Sequence, residues 1–227
     1  MKQLTLFFIA GVMVCLIALT PGCKTEPKAV ETPIPSVDTK VMMIKHPVKD
    51  YNAWKPVYMA HDSVRQSFGI SQLSLGRGAE DANMVIIIER VNDMAKAKEF
   101  MALPDLKTTM DSAGVSGPPS VAFANVMRND TTSIPQNDRV MITHKVKDFD
   151  AWLKVYDNEG RSVRAENGML DRALARDADD PNTVYIVFAI TDKEKAMARM
   201  QSDDLKKTMM DAGVEGVPSF FYYTLDK

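Results

Sequence analysis

The chain has 227 residues, with 28 Lys and Arg against 30 Asp and Glu, which gives a net charge of −2 at pH 7. The two signs are interspersed, so no basic surface that would attract nucleic acid is expected, and nucleic acid is excluded as a partner. Only 2 cysteines are present. Cys15 lies in the apolar N-terminal run, and its removal with an export signal would leave Cys23 alone. The mature protein would then depend on its hydrophobic core for stability and not on an internal disulfide.

The first residues have the pattern of a bacterial export signal. Lys2 precedes an uncharged apolar run at 4–19, and the sequence TPGC follows. The run is too short to be assigned first as a transmembrane helix. The TPGC end resembles the lipoprotein cleavage box, where the signal peptidase cuts before a cysteine that carries acyl chains. We predict a signal peptide at 1–22, lipidation of Cys23, and attachment to the periplasmic face of the cell envelope; ordinary secretion and an uncleaved anchor are the alternatives.

The rest of the chain is a tandem repeat. Residues 42–124 and 140–223 align along their whole length with one gap. The two copies are therefore predicted at 41–127 and 140–227, with residues 128–139 as the linker. VKDYNAWKPVY in the first copy matches VKDFDAWLKVY in the second, and AGVSGPPS matches AGVEGVPS. Residues 23–40 precede the first copy and contain three prolines among charged and small residues. They are predicted to form an extended tether.

Each copy is predicted to begin with a strand and a helix. In the second copy the strand covers 140–146 and is followed by Asp148, a residue type that caps helix N-termini well. Trp152, Val155 and Tyr156 then follow at the spacing of one helical face. This apolar stripe is expected to bury the helix against a sheet. Contact of the same aromatic rings with a flat ligand is the alternative.

Two strands, a second helix and a last strand complete each copy. In the second copy the strands at 169–176 and 183–190 flank DADDPN, a sequence of turn-forming residues. The second helix is expected to break at Ser202, and the final strand to start at Pro218. The order βαββαβ is that of the ferredoxin-like fold, a four-stranded antiparallel sheet with both helices on one face.

The final strand indicates how the two copies pack. Its alternation puts Phe220 and Tyr222 on one side and Phe221 and Tyr223 on the other, so neither face of the sheet is polar. A sheet that is apolar on both faces needs a second cover, and the other copy is the simplest one. The predicted fold class is therefore α+β, with two tandem ferredoxin-like βαββαβ repeats forming an intramolecular pseudo-dimeric α/β barrel.

The repeated motifs resemble a known superfamily. VKDYxAW…VY, then R…(D/E)DxN, then LKxTMxxAGVxGxP are similar to small proteins of the dimeric α/β-barrel superfamily, which includes antibiotic-biosynthesis-monooxygenase-like proteins and small cyclases. The resemblance covers both repeats and implies a barrel closed within one chain, which is compatible with a monomer. It implies no single activity, because the superfamily includes cofactor-free oxygenases, haem-degrading enzymes, isomerases and cyclases. The Asn, Trp and His set of the haem-degrading branch has no match, since Trp54 and Trp152 lie on helices.

Two histidines occupy equivalent positions near the ends of the first strands. His46 and His144 are candidates for catalysis, as an acid and base or as ligands of a metal. No Glu or Cys stands beside them at metal-ligand spacing, so no metal site is predicted. A structural histidine that is hydrogen-bonded to a neighbouring carbonyl is the alternative.

Arginines at the ends of the second strands are candidates for ligand binding. Arg77 and Arg176 could hold a carboxylate-bearing ligand, because a guanidinium pairs with carboxylates in a fixed geometry. The alternative is an ion pair across the hairpin turn, with Asp81 for Arg77 and Asp180 for Arg176.

The second strands are the predicted lining of a cavity inside the barrel. Strict alternation puts Gln72 and Ser74 on one face, opposite Leu73 and Leu75, and puts Asp171 on the matching face of the second copy. The leucine face would contact the helices. Gln72, Ser74 and Asp171 are then weak candidates for ligand binding within the barrel. The alternative is that bulky side chains from other strands fill this space.

Three functions are consistent with these observations. The first is a membrane-tethered lipoprotein whose barrel binds a small apolar or aromatic ligand. The second is a cofactor-independent enzyme of the monooxygenase or cyclase type, and the third is a structural or partner-binding lipoprotein with a filled barrel. No cofactor is predicted, because no phosphate-binding loop, HExxH or cysteine-pair metal motif occurs. The first function is preferred because the copies differ at the predicted cavity positions, which does not suggest two equivalent catalytic sites.

Overall fold

A computed structural model describes residue 34 and residues 36–226 of the chain. The predicted signal peptide at 1–22, Cys23 and most of the predicted tether lie outside the described residues. Within the described part, no helix has the length and apolar character needed to cross a membrane. The first strand begins at Ser36, so residues 36–40, which were predicted to belong to the tether, form part of the barrel.

The predicted βαββαβ order is confirmed in both copies, and each predicted helix is divided in two. The first copy consists of β1 (Ser36–Pro47), α1 (Tyr51–Ala60), α2 (Asp62–Ser67), β2 (Ile70–Gly78), β3 (Met84–Val91), α3 (Met94–Met101), α4 (Pro104–Ser112) and β4 (Ser120–Asn129). The second consists of β5 (Asp138–Val146), α5 (Phe149–Glu159), α6 (Arg161–Glu166), β6 (Met169–Asp177), β7 (Thr183–Ile190), α7 (Lys193–Gln201), α8 (Asp203–Asp211) and β8 (Val214–Leu225).

The eight strands form one closed barrel in the order β1-β3-β2-β8-β5-β7-β6-β4. The copies join where β2 pairs with β8, with Gly78 opposite Tyr223, and where β4 pairs with β6, with Ala124 opposite Asp177. Every neighbouring pair is antiparallel, so β1 and β5 run in the same direction. Equivalent residues of the two copies therefore lie at the same end of the barrel.

Local signals set the helix boundaries. The Asp148 side chain accepts a hydrogen bond from the Ala151 amide at 2.8 Å and caps α5, as predicted, and Asp192 caps α7 through the Lys195 amide. The break predicted at Ser202 separates α7 from α8. Gly168 ends the first helical segment with φ +76°, and a Cβ there would lie 2.4 Å from the Asp192 carbonyl oxygen. Only glycine fits at this position.

Three apolar clusters are formed by the described residues. One lies between helices and sheet in each copy, around Trp54 and around Trp152, which are 3% and 4% exposed. The predicted burial of these helices on the sheet is confirmed. The third cluster lies inside the barrel and takes residues from both copies: Val41, Met43, Ile86, Ala124, Met141, Ala175 and Tyr223. The interior is thus a shared core that neither copy could form alone.

A β-bulge in each second strand corrects the predicted cavity lining. The register of β2 on β3 shifts between Gln72 and Ser74, and that of β6 on β7 shifts between Asp171 and Ala173. A bulge inserts one extra residue and reverses the alternation beyond it. Gln72 and Asp171 therefore face the helices and not the interior, whereas Ser74 faces the interior as predicted. Leu73, predicted to face the helices, is the extra residue and lines the barrel cavity.

Candidate functional site

A pocket lies between the helices and the sheet in each copy. The pocket of the first copy has a volume of about 70 Å³ and that of the second about 90 Å³. Each contains the histidine of the first strand and the Trp and Tyr of the first helix, which are His46, Trp54 and Tyr58 in one and His144, Trp152 and Tyr156 in the other. The two histidines thus lie in separate pockets, and the structure does not bring them together.

The second-copy pocket is apolar apart from a few polar groups. The sheet contributes Ile142, Ile186 and Phe188, α5 contributes Trp152, and α7 contributes Met200. The outer side is formed by Leu205 and Met209 of α8 and by Phe220, which is 40% exposed, so the pocket reaches the surface there. No residue of α8 is buried. Its pocket-lining side chains are half-buried, so α8 is less deeply packed than α5 or α7.

His144 is the unsatisfied polar group of this pocket. The side chain is 5% exposed, and neither ring nitrogen has a hydrogen-bond partner in the described part of the chain. The ring meets the edge of Trp152, with 5.4 Å between centroids. Burial lowers the pKa of His144 to about 4, so the imidazole is neutral at pH 7 and offers one donor and one acceptor. A buried polar group without a partner costs about 1–3 kcal/mol.

His46 has the same setting in the first copy but a different hydrogen-bonding state. Its ring lies 5.5 Å from Trp54 and the side chain is 4% exposed. Nδ1 lies 3.5 Å from the Pro47 carbonyl oxygen, the kind of strand-end contact that the sequence analysis gave as the structural alternative. Burial lowers the pKa of His46 as well. The copies therefore differ in that His144 has both nitrogens available to a ligand.

A buried Arg–Tyr–carboxylate cluster lies beside the second-copy pocket. Arg164 Nε donates to Asp171 Oδ1 at 3.0 Å, and its guanidinium lies 4.0 Å from the centre of the Tyr156 ring. The Tyr156 hydroxyl also donates to Asp171. Burial, followed by the charge of Asp171, raises the pKa of Tyr156 well above its usual value, so the phenol keeps its proton. The cluster is close to neutral and fixes one wall of the pocket.

The first copy contains the same cluster with its carboxylate on another strand. Arg65 Nε lies 3.1 Å from Glu89 Oε1, an ion pair without hydrogen-bond alignment, and Tyr58 donates to that oxygen at 3.1 Å. Glu89 belongs to β3 and stands directly opposite Gln72 of β2. In the second copy the carboxylate is Asp171, at the position equivalent to Gln72, and the residue opposite it is Phe188. The two copies thus have equivalent clusters, with the carboxylate on β3 in the first copy and on β6 in the second.

The other predicted site residues are distributed as follows. Arg77 Nε donates to the Ala82 carbonyl and Arg176 Nε to the Pro181 carbonyl, and each guanidinium lies over an aromatic ring at the start of the first helix of its copy, 4.2 Å from Tyr51 and 4.0 Å from Phe149. The alternative of ion pairs with Asp81 and Asp180 is wrong: Asp180 pairs with Lys145 at 2.7 Å. Arg77 and Arg176 support their hairpin turns.

Gln72 is exposed on the helix side, whereas Ser74 lines a cavity inside the barrel. That cavity has a volume of about 360 Å³, so the interior core does not fill the barrel completely. Across residues 36–226 no group of three His, Cys, Asp or Glu side chains is arranged to hold a metal ion. Sequence reasoning missed the Arg–Tyr–carboxylate clusters, because Tyr156, Arg164 and Asp171 stand on three different elements and strict alternation placed Asp171 on the wrong face.

No family model matches the chain, and no curated protein matches it. Among solved structures, an anthrone oxidase-like protein superposes with a TM-score of 0.58 at 11% identity, over 86% of this chain and 95% of its own. A Fusobacterium nucleatum protein, provisionally described as a monooxygenase, gives 0.54 at 15% identity, over 84% and 94%. A haem-binding protein from Thermus thermophilus gives 0.53 at 10% identity, over 86% and 94%.

At such identities the likeness concerns the fold and not the activity. The matched structures cover both copies of the repeat, and their own chains are covered almost completely. The chain thus has the fold of the ferredoxin-like dimeric α/β-barrel proteins, with both halves of the barrel in one polypeptide.

Proposed function

We propose that this protein binds a small aromatic ligand carrying a polar substituent, in the pocket of the second copy. The observation that carries the proposal is His144, whose two ring nitrogens are buried without partners among the described residues, in an otherwise apolar pocket. A hydroxyl or carbonyl group of a ligand would satisfy one of them and remove the cost of the unmade hydrogen bond. The ligand's polar group would thereby be oriented toward the sheet.

The lining supports an aromatic partner. Trp152 and Tyr156 stack with 5.2 Å between centroids, and Met200 and Met209 line the same pocket. Flat rings and flexible thioethers pack well against an aromatic ligand. The pocket of about 90 Å³ is smaller than an apolar cavity of about 150 Å³ that holds benzene. The ligand would therefore extend past Phe220 toward the surface or displace α8.

The test is a pair of histidine variants measured with a pair of ligands. Phenol or indole should raise the melting temperature of the wild type more than toluene does, because toluene offers no group to His144. His144→Phe should remove this difference, and His46→Phe, the matched change in the first copy, should keep it. Equal stabilisation by phenol and toluene, or loss of the difference in both variants, would contradict the proposal.

We also propose that the protein is tethered to the periplasmic face of the membrane through lipid on Cys23. Support comes from the sequence alone, namely the apolar run at 4–19 that ends in TPGC. A single acyl chain gives weak membrane binding, so more than one is needed for stable attachment. Metabolic labelling with palmitate should mark the wild type and not Cys23→Ser. Labelling of the Cys23→Ser variant would contradict this part of the proposal.

A cofactor-independent oxygenase is the second candidate function. Its support is that the neutral His144 faces the pocket and can accept a hydrogen bond from a phenol hydroxyl, which would hold the phenol for reaction, while the burial that lowers its pKa makes it a weak base. Solved structures of the same fold include the anthrone oxidase-like protein. Each phenol that stabilises the protein should be tested for oxygen uptake. Uptake lost in His144→Phe favours the enzyme, and stabilisation without uptake favours binding alone.

A further inference from the structure

A second cavity lies inside the barrel, separate from the two pockets under the helices. It has a volume of about 360 Å³ and lies at the end where β1 and β5 begin. Its walls include Met43, Met141 and Ala175, which belong to the apolar interior cluster. Pockets that hold small molecules have volumes of about 300–1,000 Å³, so the cavity is large enough for one.

Three arginines line this cavity: Arg90, Arg139 and Arg172. Arg139 is 7% exposed, and its Nη1 donates to the Gln136 and Asp138 carbonyls at 3.0 Å each. Within residues 36–226 it makes no ion pair with a carboxylate. Burial lowers the pKa of Arg139, the charge of the nearby Arg172 lowers it further, and the charge of the Asp138 carboxylate offsets this only in part. A buried guanidinium without a counter-ion is costly and favours an anion beside it.

The lining of the cavity has more cationic than anionic side chains. Its carboxylate is Asp130, which lies 3.8 Å from Arg172 Nη1 and 2.7 Å from Arg161 Nη2. That carboxylate is therefore already shared between two guanidiniums. Tyr223 stands directly opposite Arg139 and lines the same cavity. Burial raises the pKa of Tyr223, so its hydroxyl stays protonated and adds a neutral donor.

The two copies contribute different arginines to the same end of the barrel. Val41 stands opposite Arg90 in the first copy, and at the equivalent pair in the second copy Arg139 stands opposite Ala189. Arg172 is the extra residue of the bulge in β6, where the first copy has Leu73. Because equivalent positions lie at the same end of the barrel, the three cations converge on one mouth.

We propose that the barrel cavity binds an amphiphilic organic anion. Its carboxylate or phosphate group would lie between Arg139 and Arg172, which can donate to it in the paired geometry that guanidiniums provide. Its apolar body would extend along Met43, Met141 and Ala175. The apolar walls distinguish this ligand from inorganic phosphate, and the cations distinguish it from a neutral alcohol.

The test compares ligands of one length on matched variants. Decanoate, decanol and inorganic phosphate would be titrated calorimetrically into the full chain. Arg139→Val and Arg172→Leu introduce the residues that the first copy has at these positions, so both side chains fit the fold. Each should weaken decanoate binding by about tenfold or more, the usual effect of losing a charged hydrogen bond. Lys154→Gln, on the exposed face of α5, should leave the affinity unchanged.

Several results would overturn the proposal. They are equal binding of decanoate and decanol, equal binding of decanoate and phosphate, or no loss in either arginine variant whose melting temperature is preserved. If Arg139→Val unfolds, Arg90→Ala provides the same test, because Arg90 is exposed and Ala189 is its counterpart. Decanoate binding that persists in His144→Phe separates this site from the pocket of the second copy, and its loss there would place decanoate in that pocket.

Discussion

At the scale of single residues, the protonation of His144 decides what the second-copy pocket can do. Burial favours the uncharged form of an imidazole because the charged form loses its hydration. The side chain lies in an apolar wall with Trp152 against its ring, so nothing there compensates a charge. The histidine that the sequence analysis selected for catalysis is therefore available at pH 7 as a neutral hydrogen-bonding group.

The buried histidine should make stability depend on pH. Its pKa is about 4 in the folded protein and about 6.5 in an unfolded chain. The unfolded state therefore takes up a proton first, so this contribution is present above pH 6.5 and is lost as the pH falls toward 4. The loss amounts to roughly 3 kcal/mol. Urea unfolding of the wild type and His144→Phe at pH 7.5 and at pH 4.5 should show the stability difference between them shifting in favour of the variant at low pH.

The difference between the two proteins is the informative quantity, because other groups titrate in the same range. Glu89, whose pKa is raised by burial, acts in the opposite direction in both proteins and cancels in the comparison. An equal pH dependence for wild type and variant would mean that His144 is solvated in the folded state. His46→Phe should show a change of the same sign, since burial lowers that pKa too.

At the scale of strands, both copies contain the same buried cluster, but its carboxylate stands on different strands of the hairpin. Glu89 of β3 and Asp171 of β6 have the same role, although they are not at equivalent positions. Each stands at a cross-strand pair whose other member is uncharged, Gln72 in one case and Phe188 in the other. Directly opposite residues are close neighbours on one face of a sheet, so a carboxylate on either strand reaches the same arginine.

Exchange of the two residues should therefore rescue a lost ion pair. Asp171→Gln leaves Arg164 buried without its main carboxylate and should cost about 3 kcal/mol of unfolding free energy. Adding Phe188→Glu gives the second copy the arrangement of the first, and the double variant should recover most of that loss. Phe188→Glu alone adds an uncompensated carboxylate and should destabilise the protein. Urea unfolding measures all three, and a double variant as unstable as the sum of the single changes would refute the exchange.

The sequence predicted the helices and strands because their signals are local. The capping aspartates and the Trp152 stripe are confirmed. The bulges were not predicted, since no glycine or proline marks Leu73 or Arg172. With strict alternation, Gln72 and Asp171 were assigned to the wrong face. The pocket of the second copy lies on the helix side of the sheet, so it was only partly predictable. His144 was among the predicted site residues. The ion pair of Arg164 with Asp171, which forms a wall of the pocket, was not predicted.

At the scale of the whole molecule, the barrel is one cooperative unit made from two copies. The interior cluster draws on both, with Met43 and Met141 in the same core. Strands β2 and β8, and β4 and β6, join the copies by backbone pairing. Neither copy could close the barrel alone, because each contributes only four strands. The second apolar face of each sheet is buried in the shared interior, and for this reason it predicted the fold correctly.

Cutting the linker should therefore leave the barrel intact. A protease site inserted after Ser133, which is exposed, would divide the chain between the copies. The two fragments should elute together at the volume of the uncut protein, because the shared core and both joints persist. The same insertion without protease treatment is the control. Separate elution of the fragments under native conditions would show that the copies are independent domains.

The displaced charges also restrict how the gene can change. A recombination that replaced only the β6 coding segment with that of β2 would remove Asp171 and leave Arg164 with Glu159 as its carboxylate partner. Replacement of β7 alone would place both Asp171 and a new glutamate beside Arg164. Only an exchange of the whole hairpin preserves the charge balance, and the pairing of Arg139 with Ala189 extends this unit to β5. The positions of a few ionised side chains therefore oppose any exchange that would make the two copies identical strand by strand.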